Sequence, residues 1–146
     1  MDVNLASLIL PAQAIPYACL KEEQRICVEF ANEMRQRTLE GRLPYVWFHV
    51  ANEFLPSSRV NYSFESKLKQ MGKMAGVPDY CFLGEKDSFF IEFKTEKGKQ
   101  THNQKIFEKW CATNKTDYFL CRSAREGIEA VNDRLKQVGE SKGSCS

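Results

Sequence analysis

Between Gly76 and Gln100 the chain reads GVPDYCFLGEKDSFFIEFKTEKGKQ. Two apolar runs, Tyr80–Leu83 and Phe89–Lys94, flank the polar stretch Gly84-Glu85-Lys86-Asp87, the pattern of a tight β-hairpin. A turn centred on Glu85-Lys86 pairs the strands so that Asp79 lies opposite Glu92. Side chains alternate along the second strand, which predicts Phe89, Ile91 and Phe93 on one face and Phe90, Glu92 and Lys94 on the other. Two carboxylates and an ammonium are thereby expected at one edge of a sheet. A slip of a single residue would send every one of these groups to the opposite face, so the register is the strongest constraint the sequence sets.

The flanking sequence predicts helices around this hairpin. From Leu20 to about Gln36, apolar Ile26, Cys27, Phe30, Ala31 and Met34 recur at helical spacing, with Glu22 and Glu23 at the start and Arg35 and Arg37 at the end, as the helix dipole favours. Tyr45–Val50 reads as a strand and 52–61 as a loop. A second helix is expected from about Tyr62 to Met71, stopping near Gly72. A third is expected from about Thr101 to Ala112, with Ile106, Phe107, Trp110 and Cys111 inward. Asp117–Arg122 reads as the last strand, and Ser123-Ala124-Arg125-Glu126 as a capping box opening a final helix to about Val138. The fold class is therefore α/β: a mixed β-sheet flanked by helices, with an arm at 1–16, one domain over 17–138 and a tail at 139–146.

Composition narrows the function classes. A chain of 146 residues, 42% apolar and 27% charged, has the makeup of one ordinary globular domain. Its net charge of +2 gives no bulk field, so any polyanion-binding surface has to be local. Six cysteines without a Cys-x-x-Cys pair read as reduced, core-filling residues. The run Leu5–Leu10 lacks a basic start and is cut by Pro11, and no segment approaches the roughly 20 apolar residues of a membrane span, so a soluble cytoplasmic protein without a membrane partner is expected.

Paired carboxylates beside a lysine have a definite chemical use. Hard oxygen donors suit Mg²⁺, a divalent ion lowers the pKa of a bound water and neutralises phosphate charge, and a lysine stabilises the charge that develops during attack. Phosphodiester hydrolysis needs these parts together. Glu-x-Lys alone is uninformative, since it occurs at Glu65–Lys67, Glu92–Lys94 and Glu140–Lys142. Only the middle copy lies on an expected strand with Pro-Asp a hairpin away. The competing reading of Glu92 and Lys94 is a solvent-facing ion pair on a half-exposed strand.

The words H-V-A-N-E (49–53), G-V-P-D (76–79), I-E-F-K-T (91–95), Gln104 after a basic stretch, and Y-F-L-C-R-S (118–123) occur in an order that resembles the VRR-Nuc branch of the PD-(D/E)XK nucleases. K-E-E-Q-R-I-C-V-E-F upstream is similar to the family's first helix. The resemblance covers most of the chain. It implies a restriction-endonuclease-like PD-(D/E)XK core, with Asp79, Glu92 and the backbone carbonyl of Phe93 as metal ligands, Lys94 as catalytic lysine and Gln104 beside the site. The family's first helix carries a further metal-facing glutamate, which the resemblance matches to Glu22 as an additional metal ligand, with Glu23 as the competing choice. Ala51 stands where the family usually has proline, which weakens the assignment of Asn52.

The resemblance implies an endonuclease using Mg²⁺, or Mn²⁺ in its place, acting on DNA. Lys94, Lys97, Lys99, Lys105 and Lys109 near the site, and Arg59, Lys67, Lys69 and Lys73 before it, supply the local positive charge a polyanion requires. Asn52, Arg59, Lys67, Lys97 and Lys99 are the candidate DNA contacts. Small stand-alone members of the family resemble phage-type proteins acting on branched DNA, which implies a homodimer resolving four-way (Holliday) junctions, in a host cell's cytoplasm if phage-encoded. A flap, nicking or restriction-type endonuclease is the nearest alternative, and a non-catalytic DNA-binding module is the rival from another class. Trp47 and Trp110 read as core residues.

Overall fold

A computed structural model describes residues 5–11, 13, 15–51 and 62–143. In chain order the elements are α1 (Leu5–Ile9), α2 (Glu22–Leu39), β1 (Val46–His49), α3 (Tyr62–Gln70), β2 (Tyr80–Leu83), β3 (Ser88–Phe93), α4 (His102–Thr113), β4 (Asp117–Cys121) and α5 (Ala124–Gly143). The fold is α/β, with a mixed four-stranded sheet in the order β1-β2-β3-β4. Among the described residues no helix is long and apolar enough to cross a membrane.

The hairpin has the expected register. Tyr80 pairs with Ile91, Cys81 with Phe90, Phe82 with Phe89 and Leu83 with Ser88. Gly84 closes the turn, its N–H donating to the Asp87 carbonyl at 2.8 Å. β1 pairs antiparallel with the other edge of β2, from Val46 opposite Leu83 to His49 opposite Tyr80.

The chain separates into two compact units. One comprises Val46–Glu92 and Lys99–Tyr118; the other comprises Met1–Tyr45, Phe93–Gly98 and Phe119–Ser146. In the first, Phe82 and Phe89 are fully buried and stack with ring centres 4.7 Å apart. Phe107 of α4 meets Phe90 edge-on at 5.3 Å, so the sheet face carrying Phe90 is covered as well. The expected inner stripe of α4 is corrected here. Phe107 and Cys111 are buried, but Ile106 and Trp110 are about half exposed, at 54% and 52%. Trp110 keeps an edge-on ring contact with Phe107 at 5.6 Å.

In the second unit α2 buries Phe30, Ala31 and Met34, as its spacing predicts. The Phe30 ring lies 5.0 Å from that of Phe93. Burying side chains of this size stabilises by about 1.5–3 kcal/mol each. α5 passes close enough that a Cβ on Gly127 would sit 2.6 Å from the Phe93 ring, so only glycine fits there. Arg37 joins α2 to α5 by donating to Asn132 Oδ1 at 2.7 Å while pairing with Glu33. The arm is tied down through Arg35, whose Nε donates to the Ile9 carbonyl at 2.8 Å. α5 continues past Val138 to Gly143, farther than the Gly/Ser/Lys-rich sequence predicts. Cys81, Cys111 and Cys121 are buried, whereas Cys19 is exposed.

Candidate functional site

The carboxylates lie in the first unit. Extending the β2/β3 ladder by one residue sets Asp79 opposite Glu92. Asp79 is anchored on its other side too, its carbonyl accepting from Val50 N–H at 2.7 Å. Pro78 before it is fully buried, Asp79 is partly buried and Glu92 has no exposed surface at all. The reading of Glu92 as half of a solvent-facing pair is therefore overturned: the face it occupies is covered by α4. A carboxylate withdrawn from water is costly unless hydrogen-bonded, paired or bound to a metal.

Gln104 supplies one such hydrogen bond. Thr101 caps α4, its Oγ1 accepting from Gln104 N–H at 3.2 Å. The Gln104 side chain reaches back, Oε1 accepting from Thr101 N–H at 2.8 Å, which completes a capping box. With the amide oxygen used in this way, the NH₂ end is left to point at the strand, and it donates to Glu92 Oε1 at 2.5 Å. The helix cap thus fixes both the position and the orientation of the amide.

Gly76 explains how α4 comes so close. Its φ is +81°, and a Cβ there would lie 2.4 Å from the Asn103 carbonyl carbon and 2.7 Å from Gln104 N. The turn at Ala75-Gly76 therefore brings the first turn of α4 against the chain three residues before Asp79. Tyr118, a residue with no role assigned from the sequence, belongs to the same unit. Burial is the main cause that pushes its phenol pKa up; Gln100 opposes this by hydrogen bonding, and the negative charges of Glu92, Glu108 and Asp79 add to it. Its hydroxyl accepts from Gln100 Nε2 at 3.4 Å and stays protonated. The word Y-F-L-C-R-S was the available signal.

The lysine lies in the second unit. Lys94 is 8% exposed, and its Nζ pairs with Glu23 Oε1 at 3.4 Å. Of the two candidate first-helix acids, Glu23 meets this lysine and Glu22 is exposed. Lys94 N–H donates to the Cys121 carbonyl at 3.0 Å, and Phe93 before it is buried against Phe30. Among the candidate DNA contacts, Lys67 and Lys99 are exposed in the first unit and Lys97 in the second. Asn52 and Arg59 lie outside the described residues.

Asp79 and Glu92 offer carboxylate oxygens, the donor type a hard divalent cation takes. Mg²⁺ characteristically takes one or two carboxylates and completes its shell with water and substrate phosphate oxygens. Among the described residues no group of three or more His, Cys, Asp and Glu side chains could hold a metal ion, and Mg²⁺ held by two carboxylates would not need one. No family model, no curated protein and no solved structure matches the chain.

Proposed function

We propose that this protein is a Mg²⁺- or Mn²⁺-dependent DNA endonuclease built on a PD-(D/E)XK core of the VRR-Nuc type. The observation that carries the proposal is Glu92: a fully buried carboxylate, in register with Asp79, whose orientation is fixed by a glutamine that caps the next helix. A strand placed only to fill a core would put Phe or Ile at this position. The geometry suits a carboxylate that has to be held rigidly for chemistry.

In this reading Asp79, Glu92 and the Phe93 carbonyl would hold the ion. The bound ion would lower the pKa of a water and offset the charge of the scissile phosphate. Gln104 keeps Glu92 from rotating away. Lys94 orients the attacking water and stabilises negative charge as the phosphate is attacked, and Glu23 holds the lysine ready. Exposed Lys67, Lys97 and Lys99 contact the DNA backbone, which positions the duplex without reading its sequence. A homodimer acting on four-way junctions is the favoured substrate setting, because two copies present two sites to opposed strands.

The test is a panel of junction, flap, single-stranded and duplex DNAs, with and without Mg²⁺. Wild-type protein is expected to cut with Mg²⁺, and to make paired cuts in the junction. Asp79→Ala and Lys94→Ala are expected to bind the junction with near wild-type affinity and to cut it at least about 100-fold more slowly. Binding without any cutting by the wild type, in either metal, would leave a DNA-binding module instead.

A further inference from the structure

An arginine in a protein that binds DNA is ordinarily counted among its phosphate contacts. Arg122, at the end of β4, is engaged otherwise. Its Nη1 donates to three main-chain carbonyls, those of Thr95 at 2.6 Å, Glu96 at 3.0 Å and Gly98 at 2.9 Å. These three belong to one tight turn, closed by Gly98 N–H donating to the Thr95 carbonyl at 3.0 Å. The turn has little slack, since a Cβ on Gly98 would come within 3.0 Å of Thr95 Oγ1. Arg122 is itself anchored at its backbone: its N–H donates to Glu126 Oε2 at 2.6 Å, and Ser123 Oγ accepts from Glu126 N–H at 3.1 Å. The residue before it, Cys121, receives the Lys94 N–H. Two consecutive residues at the end of β4 therefore hold the segment from Lys94 to Gly98 at both ends.

We propose that Arg122 is a positioning residue. It acts through the main chain of 95–98 to fix Lys94 and present Lys97, and does not touch the DNA. A guanidinium suits the task because it is permanently charged and its Nη1 holds two N–H donors in a rigid plane, which the three carbonyls share. A lysine at 122 would bring an ammonium whose donors rotate freely and are not held in a plane. Without the guanidinium, partly buried carbonyls lose their donors and the turn relaxes, carrying the backbone of Lys94 with it. The consequence for cutting rests on the nuclease reading; the consequence for the turn does not.

Two measurements on the full chain decide it, using wild type, Arg122→Ala and Arg122→Lys. Amide exchange at Gly98 is expected to accelerate at least about tenfold in Arg122→Ala, and less in Arg122→Lys, while amides in α4 stay as in wild type. Single-turnover cutting of a junction with Mg²⁺ is expected to slow by roughly 10- to 100-fold, with partial recovery when guanidinium is added to Arg122→Ala and none when it is added to Lys94→Ala. The salt dependence of junction binding should keep its slope. Unchanged exchange at Gly98 would overturn the proposal. So would an unchanged cutting rate with a salt slope lower by about one, the signature of a lost phosphate contact. If Arg122→Ala does not fold, Arg122→Lys carries both measurements. If wild type cuts nothing, the nuclease reading fails and the exchange at Gly98 still decides whether Arg122 holds the turn.

Discussion

Two helices of this protein begin with the same device and put it to different uses. α4 starts at Thr101 with Gln104 three residues on; α5 starts after Ser123 with Glu126 three residues on. In both, the hydroxyl accepts from the third residue's N–H. The third residues differ. Glu126 is an acceptor only, and it takes the N–H of Arg122. Gln104 accepts with one end of its amide and donates with the other, so a single side chain caps a helix and grips Glu92. A cap can thus end on neighbouring backbone or reach across to a strand, and the chemistry of one side-chain terminus decides which.

The largest expected effect is at the glycine that lets α4 approach. Gly76→Ala should cost roughly 2–4 kcal/mol, combining a left-handed backbone with a direct clash against Asn103. Gly72→Ala is the matching control, having φ +104° but nothing within 4 Å of the added Cβ. It should cost clearly less, and urea midpoints for the two read the difference. Equal losses would mean that backbone strain alone matters and that the close approach of α4 does not.

Exchanging the third residues sharpens the comparison. Gln104→Glu keeps the acceptor for Thr101 but turns a carboxylate toward Glu92, and a loss of roughly 2–3 kcal/mol is expected in metal-free buffer. Glu126→Gln keeps the acceptor for Arg122 and should lose no more than about 1 kcal/mol. Similar losses from the two swaps would show that Gln104 does nothing beyond capping.

The smallest effect concerns pH. Burial, with Glu126 adding to it, pushes the Cys121 thiol up to about 12. A raised folded-state pKa stabilises fully below the unfolded thiol's value and is lost as pH rises toward the folded one. Stability should therefore fall on the alkaline side, by on the order of 1 kcal/mol near pH 10 from this group. Burial raises Cys81 and Cys111 in the same direction. Urea midpoints for wild type and Cys121→Ala should converge as pH increases; a constant gap would contradict the assignment.

How much of this was legible in the sequence depends on what each feature rests on. The hairpin register follows from a short polar turn between two apolar runs, and it holds residue by residue. The burial of Glu92 was not legible, because it depends on a helix that arrives from elsewhere in the chain. Thr101-His102-Asn103-Gln104 does carry a capping-box pattern, yet the pattern alone does not say which way the spare NH₂ points. On α4 the apolar spacing overstates the buried stripe, since Ile106 and Trp110 lie on its margin. The choice between Glu22 and Glu23 is a choice of helical phase, and adjacent residues differ by about a quarter turn, which periodicity over one short helix does not resolve.

The central claim, that Asp79 and Glu92 hold a divalent ion at the scissile phosphate, is tested most directly by Mn²⁺ binding followed by electron paramagnetic resonance. The protein is Lys94→Ala bound to a four-way junction, so that the DNA stays whole. A site lost on adding Asp79→Ala, and weakened at least about tenfold by Glu92→Gln, is the predicted result. Mn²⁺ binding that is the same with and without these two carboxylates would contradict it.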